Sequence, residues 1–95
     1  DYKNKKVVVI SFFATWCGPC QMMGPVFEKL GTEYEGKLKF AKMSTEIETE
    51  LAEKYQIRSI PCLKVFNKGK EIEELIGFKP KDQLKTEIDN ILEKI

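Results

Sequence analysis

The stretch that decides the fold is Trp16-Cys17-Gly18-Pro19-Cys20, in which two residues separate two cysteines. The run before it, residues 7–13, is apolar, of strand length, and rich in β-branched and aromatic residues. The residues after it carry apolar side chains at helical spacing, namely Met23, Val26, Phe27, Leu30 and Tyr34. The cysteines are therefore predicted to lie where a buried strand is followed by a helix, which we expect over 20–34.

This position suits a pair of redox-active thiols. The first turn of a helix has N–H groups without intrahelical partners and carries the positive end of the helix dipole. Both favour a thiolate, which is the nucleophile in thiol–disulfide exchange. Cys17 is the candidate nucleophile, and Cys20, about one turn inside the helix, is the candidate resolving thiol. A structural disulfide or a pair of packing cysteines is the alternative, but it explains neither Trp16 nor Gly18-Pro19.

The segment from Phe12 to Cys20 resembles the active-site segment of the thioredoxin family. The resemblance covers essentially the whole chain and continues at Pro25, Arg58-Ser59-Ile60-Pro61, Asn67-Lys68-Gly69 and Gly77. A C-x-x-C pair alone is a weak signal, whereas Trp-Cys-Gly-Pro-Cys with Ile-Pro about forty residues further on is a strong one. The resemblance implies an α/β thioredoxin fold and a protein-disulfide reductant that carries its electrons on the Cys17/Cys20 dithiol.

The resemblance also implies a client-binding surface beside the first cysteine. Its expected residues are Trp16, Gly18, Pro19, Ile60, Pro61, Gly77 and Phe78. Pro61 is expected in the cis form, which turns the Ile60 backbone outward to pair with an extended client segment. The alternatives are ordinary half-buried aromatic side chains at Trp16 and Phe78, and a plain trans turn at Pro61.

Three further positions bear on the chemistry. The family usually has an aspartate that helps to deprotonate the resolving cysteine where Ser11 stands, and serine is not a base at neutral pH. Lys42 matches a family lysine near that cysteine, so Ser11 and Lys42 are the candidate proton relay; an exposed strand lysine is the alternative for Lys42. Cys62 stands where the family usually has threonine. It is expected to be a small buried side chain, with a third thiol open to oxidation as the alternative.

Composition excludes several other functions. The net charge of +1 gives no reason to expect nucleic acid or an anionic membrane as partner. No run approaches the roughly 20 apolar residues of a membrane span, and no signal peptide is expected. With no histidine and three cysteines, one chain cannot form a mixed Cys/His zinc site, an all-cysteine zinc site or a haem attachment. We therefore expect no metal. The resemblance implies no bound cofactor either, because the disulfide itself is the electron carrier.

The remaining pattern predicts one domain over 1–95 with the order βαβαββα and a four-stranded mixed sheet flanked by helices. After a polar lead-in at 1–6, strands are expected at 7–13, 38–43, 62–67 and 71–76. The family usually adds a strand and a helix before this core, and that pair is expected to be missing here. Asp1 stands where Met would begin a chain, which indicates processing or a piece cut from something longer.

Local signals add detail to this order. Thr45 with Glu48 predicts a capping box that begins the second helix. The residues expected to face inward from that helix are Ile47, Leu51, Ala52 and Tyr55. Pro80 begins the last helix, whose expected buried stripe is Leu84, Ile88, Ile91, Leu92 and Ile95. Glu71, Glu73 and Glu74 are typical of an exposed edge strand, and Lys64 is expected to extend to solvent across a thinly covered sheet face.

The resemblance implies two partners, a thioredoxin reductase that recharges the disulfide and oxidised client proteins, and we expect a cytoplasmic monomer. One alternative is a glutaredoxin-like, glutathione-dependent reductase. The short N-terminus favours it, but Trp16 and Gly18-Pro19 argue against it because glutaredoxins usually have Pro-Tyr between the cysteines. The other alternative is a non-catalytic binding module of thioredoxin fold, to which Ser11 gives some weight.

Overall fold

The computed structural model describes residues 7–94, and their elements follow the predicted order βαβαββα. The strands are β1 (Val7–Phe13), β2 (Lys39–Ser44), β3 (Cys62–Asn67) and β4 (Lys70–Ile76). The helices are α1 (Gly18–Glu33), α2 (Thr49–Lys54) and α3 (Lys81–Glu93). The expected lead-in at 1–6 and the last residue of the expected stripe, Ile95, lie outside the described residues.

As predicted, the four strands form one mixed sheet; its strand order is β2-β1-β3-β4. β1 pairs parallel with β2 and antiparallel with β3, and β4 pairs antiparallel with β3 at the edge. A parallel pair needs a crossover connection, which α1 supplies. With strands on both sides, β1 delivers the chain from the middle of the sheet directly into the segment that holds the two cysteines.

The main core lies between the sheet and helices α1 and α3. It is formed by Val9, Leu30, Leu63, Leu84 and Ile88, which are at most 1% exposed, together with their buried neighbours. The predicted stripe of α3 is buried at its first three positions. Because side chains alternate along a strand, this core also sets which side of β1 faces α1, and Ser11 is on that side.

The start of α2 differs from the prediction. α2 begins at Thr49, and its N-cap Glu48 makes no side-chain capping bond, so the capping box is wrong. Thr45 is bound to the end of β1 instead: its N–H donates to the Phe13 carbonyl at 2.9 Å and its hydroxyl to the same oxygen at 3.3 Å. The hydroxyl is therefore engaged with the sheet. Ile47, expected to face inward, is 77% exposed.

The other inward positions of α2 are covered more than Ile47. Leu51, Ala52 and Tyr55 are half-buried. The Tyr55 ring lies 6.1 Å from the Phe12 ring and 5.3 Å from the Phe66 ring, measured between centroids. This aromatic group attaches α2 to the face of the sheet opposite the main core.

The prediction that the Lys64 side chain extends to solvent is also wrong. Lys64 does not extend to solvent; it is 3% exposed. Its ammonium lies 2.7 Å from a carboxylate oxygen of Glu71 and 3.1 Å from one of Glu74 on the neighbouring strand. Burial acts to lower the pKa of Lys64, but the two carboxylates outweigh it and hold that pKa above its usual value. The edge strand β4 thus supplies the counter-charges that make a buried lysine tolerable.

Candidate active site

The two cysteines lie at the start of α1, which begins at Gly18, earlier than the predicted residue 20. Cys17 is the N-cap residue, and its sulfur accepts a hydrogen bond from the Cys20 N–H at 3.2 Å. The Cys17 thiol also donates to the Ile60 carbonyl at 3.9 Å. Both cysteines are buried and both are free thiols. The sulfur of Cys17 therefore occupies the place where a helix start binds a negative group.

The Cys20 thiol is in a different environment. Burial, and then its hydrogen bond with Cys17, raise the pKa of Cys20 to about 11. At neutral pH this thiol holds its proton. It must lose that proton to attack as a thiolate, so a route for the proton matters at this site.

A cavity of about 260 Å³ lies beside Cys20. Ser11 from β1 and Lys42 from β2 line it together with Cys20. Ser11 is buried, and it is the register partner of Lys42 in the parallel pair. The structure thus brings the two residues of the candidate relay to one cavity with the candidate resolving thiol.

Lys42 lies at the rim of this cavity. Its side chain is 43% exposed, and its ammonium lies 2.5 Å from a carboxylate oxygen of Glu28 on α1. That hydrogen bond lowers the pKa of Glu28. Lys42 is therefore exposed, as the alternative interpretation held, and already paired. Glu28 is not among the predicted site residues, although it lies one helical turn after Gly24, which lines the cavity.

The expected client surface lies around the Cys17 sulfur. Ile60 is half-buried against the cluster that contains both cysteines. The Ile60–Pro61 peptide is cis, as predicted. The Gly77 N–H donates to the Pro61 carbonyl at 2.9 Å. This hydrogen bond places Gly77 and Phe78 beside the Ile60–Pro61 peptide.

The flanks of this surface are open. Trp16 is 72% exposed and Phe78 is 37% exposed, while Gly18 and Pro19 are exposed at the start of α1. Gly77 has a φ of +90°, a conformation that a residue with a Cβ rarely adopts. The exposed apolar side chains and the glycine backbone leave room for a chain to approach Cys17.

A residue that sequence reasoning missed holds the loop before Cys17. A carboxylate oxygen of Glu46 accepts hydrogen bonds from the N–H and the hydroxyl of Thr15, each at 2.9 Å. The Gln21 side chain donates to the Thr15 carbonyl, also at 2.9 Å. Every polar group of Thr15 is thereby bound. The Thr15 N–H is also the main reason that the pKa of Glu46 is lowered.

Replacing Glu46 by alanine should therefore free the Thr15 amide. We expect hydrogen exchange at that amide to accelerate in Glu46→Ala and to change less in Glu46→Gln, which keeps a neutral acceptor. Glu48→Ala is the matched control, since Glu48 makes no side-chain capping bond. Equal exchange at Thr15 in the wild type and in Glu46→Ala would contradict the tether.

Comparison with known proteins identifies the family of this chain. The family model named Thioredoxin matches residues 2–90. The chain belongs to the thioredoxin family. Thioredoxins of Staphylococcus aureus strains Mu50, MW2 and COL are each 42% identical to it over 86 residues, which cover 90% of this chain and 83% of theirs.

Membership fixes the general activity. This thioredoxin-family protein is a thiol–disulfide oxidoreductase that serves as a protein-disulfide reductant. The family generally acts on oxidised client proteins and is itself reduced by thioredoxin reductase. Within residues 7–94, no helix is both long enough and apolar enough to cross a membrane.

The third thiol of this thioredoxin-family chain lies outside the cluster that contains the other two cysteines. Cys62 is 1% exposed and free, so the expectation of a small buried side chain is confirmed. Its thiol donates to a carboxylate oxygen of Glu74 at 3.5 Å. Burial, and then this carboxylate, raise the pKa of Cys62 to about 12. Cys62 therefore holds its proton at neutral pH, and because it is almost fully covered, the disulfide of a client does not reach it.

The raised pKa of Cys62 should make the reduced protein less stable in alkali. The folded state keeps the proton up to about pH 12, whereas an unfolded thiol loses it near its ordinary pKa of 9.0. The folded state therefore binds more protons in this window, and the free energy of unfolding falls as pH rises above 9. Urea midpoints under reducing conditions at pH 8, 9 and 10 measure this.

Cys62→Ala provides the control for that experiment. Its stability should fall less steeply between pH 8 and 10, even though the lost sulfur lowers its stability at pH 8. Cys20, whose pKa is also raised, contributes equally to both profiles. Parallel profiles for the two proteins would show that Cys62 does not titrate as described.

Proposed function

We propose that Cys17 is the nucleophile and Cys20 the resolving thiol of this reductant. The Cys17 sulfur attacks one sulfur of the client disulfide, and the other client sulfur leaves as a thiolate that takes up a proton. Cys20 then loses its proton and attacks the Cys17 sulfur, which releases the second client sulfur as a thiol. The client gains two electrons and two protons, and a Cys17–Cys20 disulfide remains.

The observation that carries this assignment is the hydrogen bond from the Cys20 N–H to the Cys17 sulfur, at 3.2 Å. An N–H without an intrahelical partner, at the positive end of a helix dipole, stabilises a negative sulfur. The same environment favours Cys17 as the thiolate that begins exchange and as the thiolate that leaves when a reductase opens the disulfide.

The client is proposed to bind as an extended segment across Ile60. The Ile60 carbonyl lies within 3.9 Å of the Cys17 sulfur, so a segment that pairs with this backbone brings its own sulfur close to Cys17. Trp16, Gly18 and Pro19 would contact one side of that segment. Pro61, Gly77 and Phe78 would contact the other.

The proton of Cys20 is proposed to leave through the cavity that Ser11 and Lys42 line. A cavity of about 260 Å³ has room for several water molecules. Ser11 can donate and accept a hydrogen bond but cannot take up an extra proton at neutral pH. Water therefore receives the proton, and the positive charge of Lys42 at the rim favours the thiolate that is left on Cys20.

We infer that a thioredoxin reductase recharges the disulfide, that oxidised proteins are the clients, and that the protein works as a cytoplasmic monomer of one domain. The names of the S. aureus relatives support the reductase. A dithiol that must stay reduced suits the cytosol, where thiols are kept reduced.

Reduction of insulin in the presence of dithiothreitol tests the function. The wild-type protein should shorten the lag before turbidity, and Cys17→Ser should behave as a sample without protein. A second assay compares glutathione with thioredoxin reductase and NADPH as the electron source. If turbidity appeared at the uncatalysed rate, the protein would not be a disulfide reductant. If turnover were efficient with glutathione alone, thioredoxin reductase would not be the required electron donor.

A further inference from the structure

A second cavity, of about 370 Å³, adjoins the proposed client surface. Arg58 and Ser59 line it, and these two residues directly precede Ile60 in the chain. Ile76 lines it from the end of β4 and directly precedes Gly77. The cavity therefore lies next to both segments that are proposed to contact the client, the one at Ile60 and the one at Gly77.

The acidic side chains that line this cavity are already paired, whereas, within residues 7–94, two of its basic side chains are not. Glu71 and Glu74 line it, but both carboxylates are bound to the buried ammonium of Lys64. Lys54 and Arg58 also line it; both are exposed, and neither forms an ion pair with a residue in 7–94. The charge available to an incoming group is therefore positive.

We propose that this cavity binds an acidic side chain of the client, on the same segment that pairs with Ile60. This rests on the proposed client surface and adds the chemistry by which clients are selected. An extended chain advances about 3.3 Å per residue, so a segment alongside Ile60 reaches Ser59 and Arg58 within one or two residues. A carboxylate there can accept two parallel N–H bonds from the guanidinium of Arg58.

The same arrangement disfavours a basic client side chain. Such a side chain would meet the charges of Lys54 and Arg58 first. To pair with Glu71 or Glu74 it would have to draw a carboxylate away from Lys64, and a buried ammonium without its partner is costly. The cavity thus selects by attraction of one sign of charge and by repulsion of the other.

Disulfide peptides that differ at one residue test the selection. Each peptide carries Glu, Gln or Lys at two, three or four positions from its cysteine, on either side, and kcat/KM is measured at low salt. At one register we expect the Glu peptide to be reduced about two- to fivefold faster than the Gln peptide, the range that exposed ion pairs provide. The Lys peptide should be slower than both, and high salt should remove the differences.

Variants assign the effect to the cavity. Arg58→Gln should bring the Glu-to-Gln ratio to one, and Lys54→Gln should reduce it. Lys29→Gln makes the same change of charge on α1, outside the cavity lining, and should keep the ratio. Because Arg58, Lys54 and Lys29 are exposed, these substitutions leave the core intact.

The outcomes separate this inference from the function on which it rests. A ratio of one at every register in the wild type overturns the acidic-side-chain site while reduction itself stands. A ratio that survives in Arg58→Gln also overturns it. If no peptide is reduced at all, the proposed function fails, and the inference fails with it.

Discussion

The Cys17→Ser protein should reduce no client disulfide, whereas Cys20→Ser should accumulate as a covalent mixed disulfide with its clients. Without the Cys17 sulfur there is no first attack. The Cys20 thiol cannot replace it, because burial, the largest cause of its raised pKa, remains when Cys17 is replaced and keeps this thiol protonated at neutral pH. Without Cys20 the first attack survives and the resolving step does not.

Mass spectrometry after mixing each variant with an oxidised client measures this difference. Cys20→Ser should gain the mass of one client chain, and dithiothreitol should remove it. Cys62→Ser is the matched control, since its thiol lies buried beside Glu74 and should not be needed for turnover. Alkylation of the reduced wild type provides a second test: faster labelling of Cys20 than of Cys17 would reverse the proposed roles.

The Ser11→Asp protein should resolve mixed disulfides faster near neutral pH and should be less stable. Ser11 lines the cavity beside Cys20 and is 5% exposed, so a carboxylate placed there would be mostly withdrawn from water. Burial raises the pKa of such a carboxyl and makes its ionised form a stronger base. A positioned base is typically worth about 10²–10⁴-fold on the step that transfers the proton.

Ser11→Asn is the control for size, because asparagine has nearly the shape of aspartate and is no base. The rate of single-turnover release of the client is measured as a function of pH for the wild type and both variants. For the wild type and Ser11→Asn we expect the rate to keep rising well above neutral pH, because burial holds the pKa of Cys20 above its ordinary value. For Ser11→Asp the rise should come at lower pH. Equal rates in the Asp and Asn variants, with both folded, would mean that proton removal from Cys20 is not limiting.

The features that could be predicted from the sequence are those encoded locally. The apolar run of β1, the helical spacing of α1 and α3, and the turn between β3 and β4 each lie within a few consecutive residues. Cys17 and Cys20 could be placed because they lie between a strand and a helix that are each recognisable in the sequence. For the same reason the family resemblance at these residues was specific.

The features that could not be predicted depend on which distant segments meet. Thr15 and Glu46 are 31 positions apart, and no pattern around either indicates that they bond. Lys64 is tolerated inside the fold because a strand pairing brings Glu71 and Glu74 to it. Thr45 resembled a helix cap in isolation, but its donors are used by the carbonyl at the end of β1.

The burial of Cys62 has a consequence for the number of oxidised forms of the protein. Three thiols could pair in three different ways, although one molecule holds only one internal disulfide at a time. Because Cys62 is covered and bound to Glu74, we expect only the Cys17–Cys20 pair to form, so that the oxidised protein is one species and not a mixture. A redox titration should then follow a single two-electron curve, with about 30 mV for each tenfold change in the ratio of oxidised to reduced protein. The protein would thus work at a single redox potential.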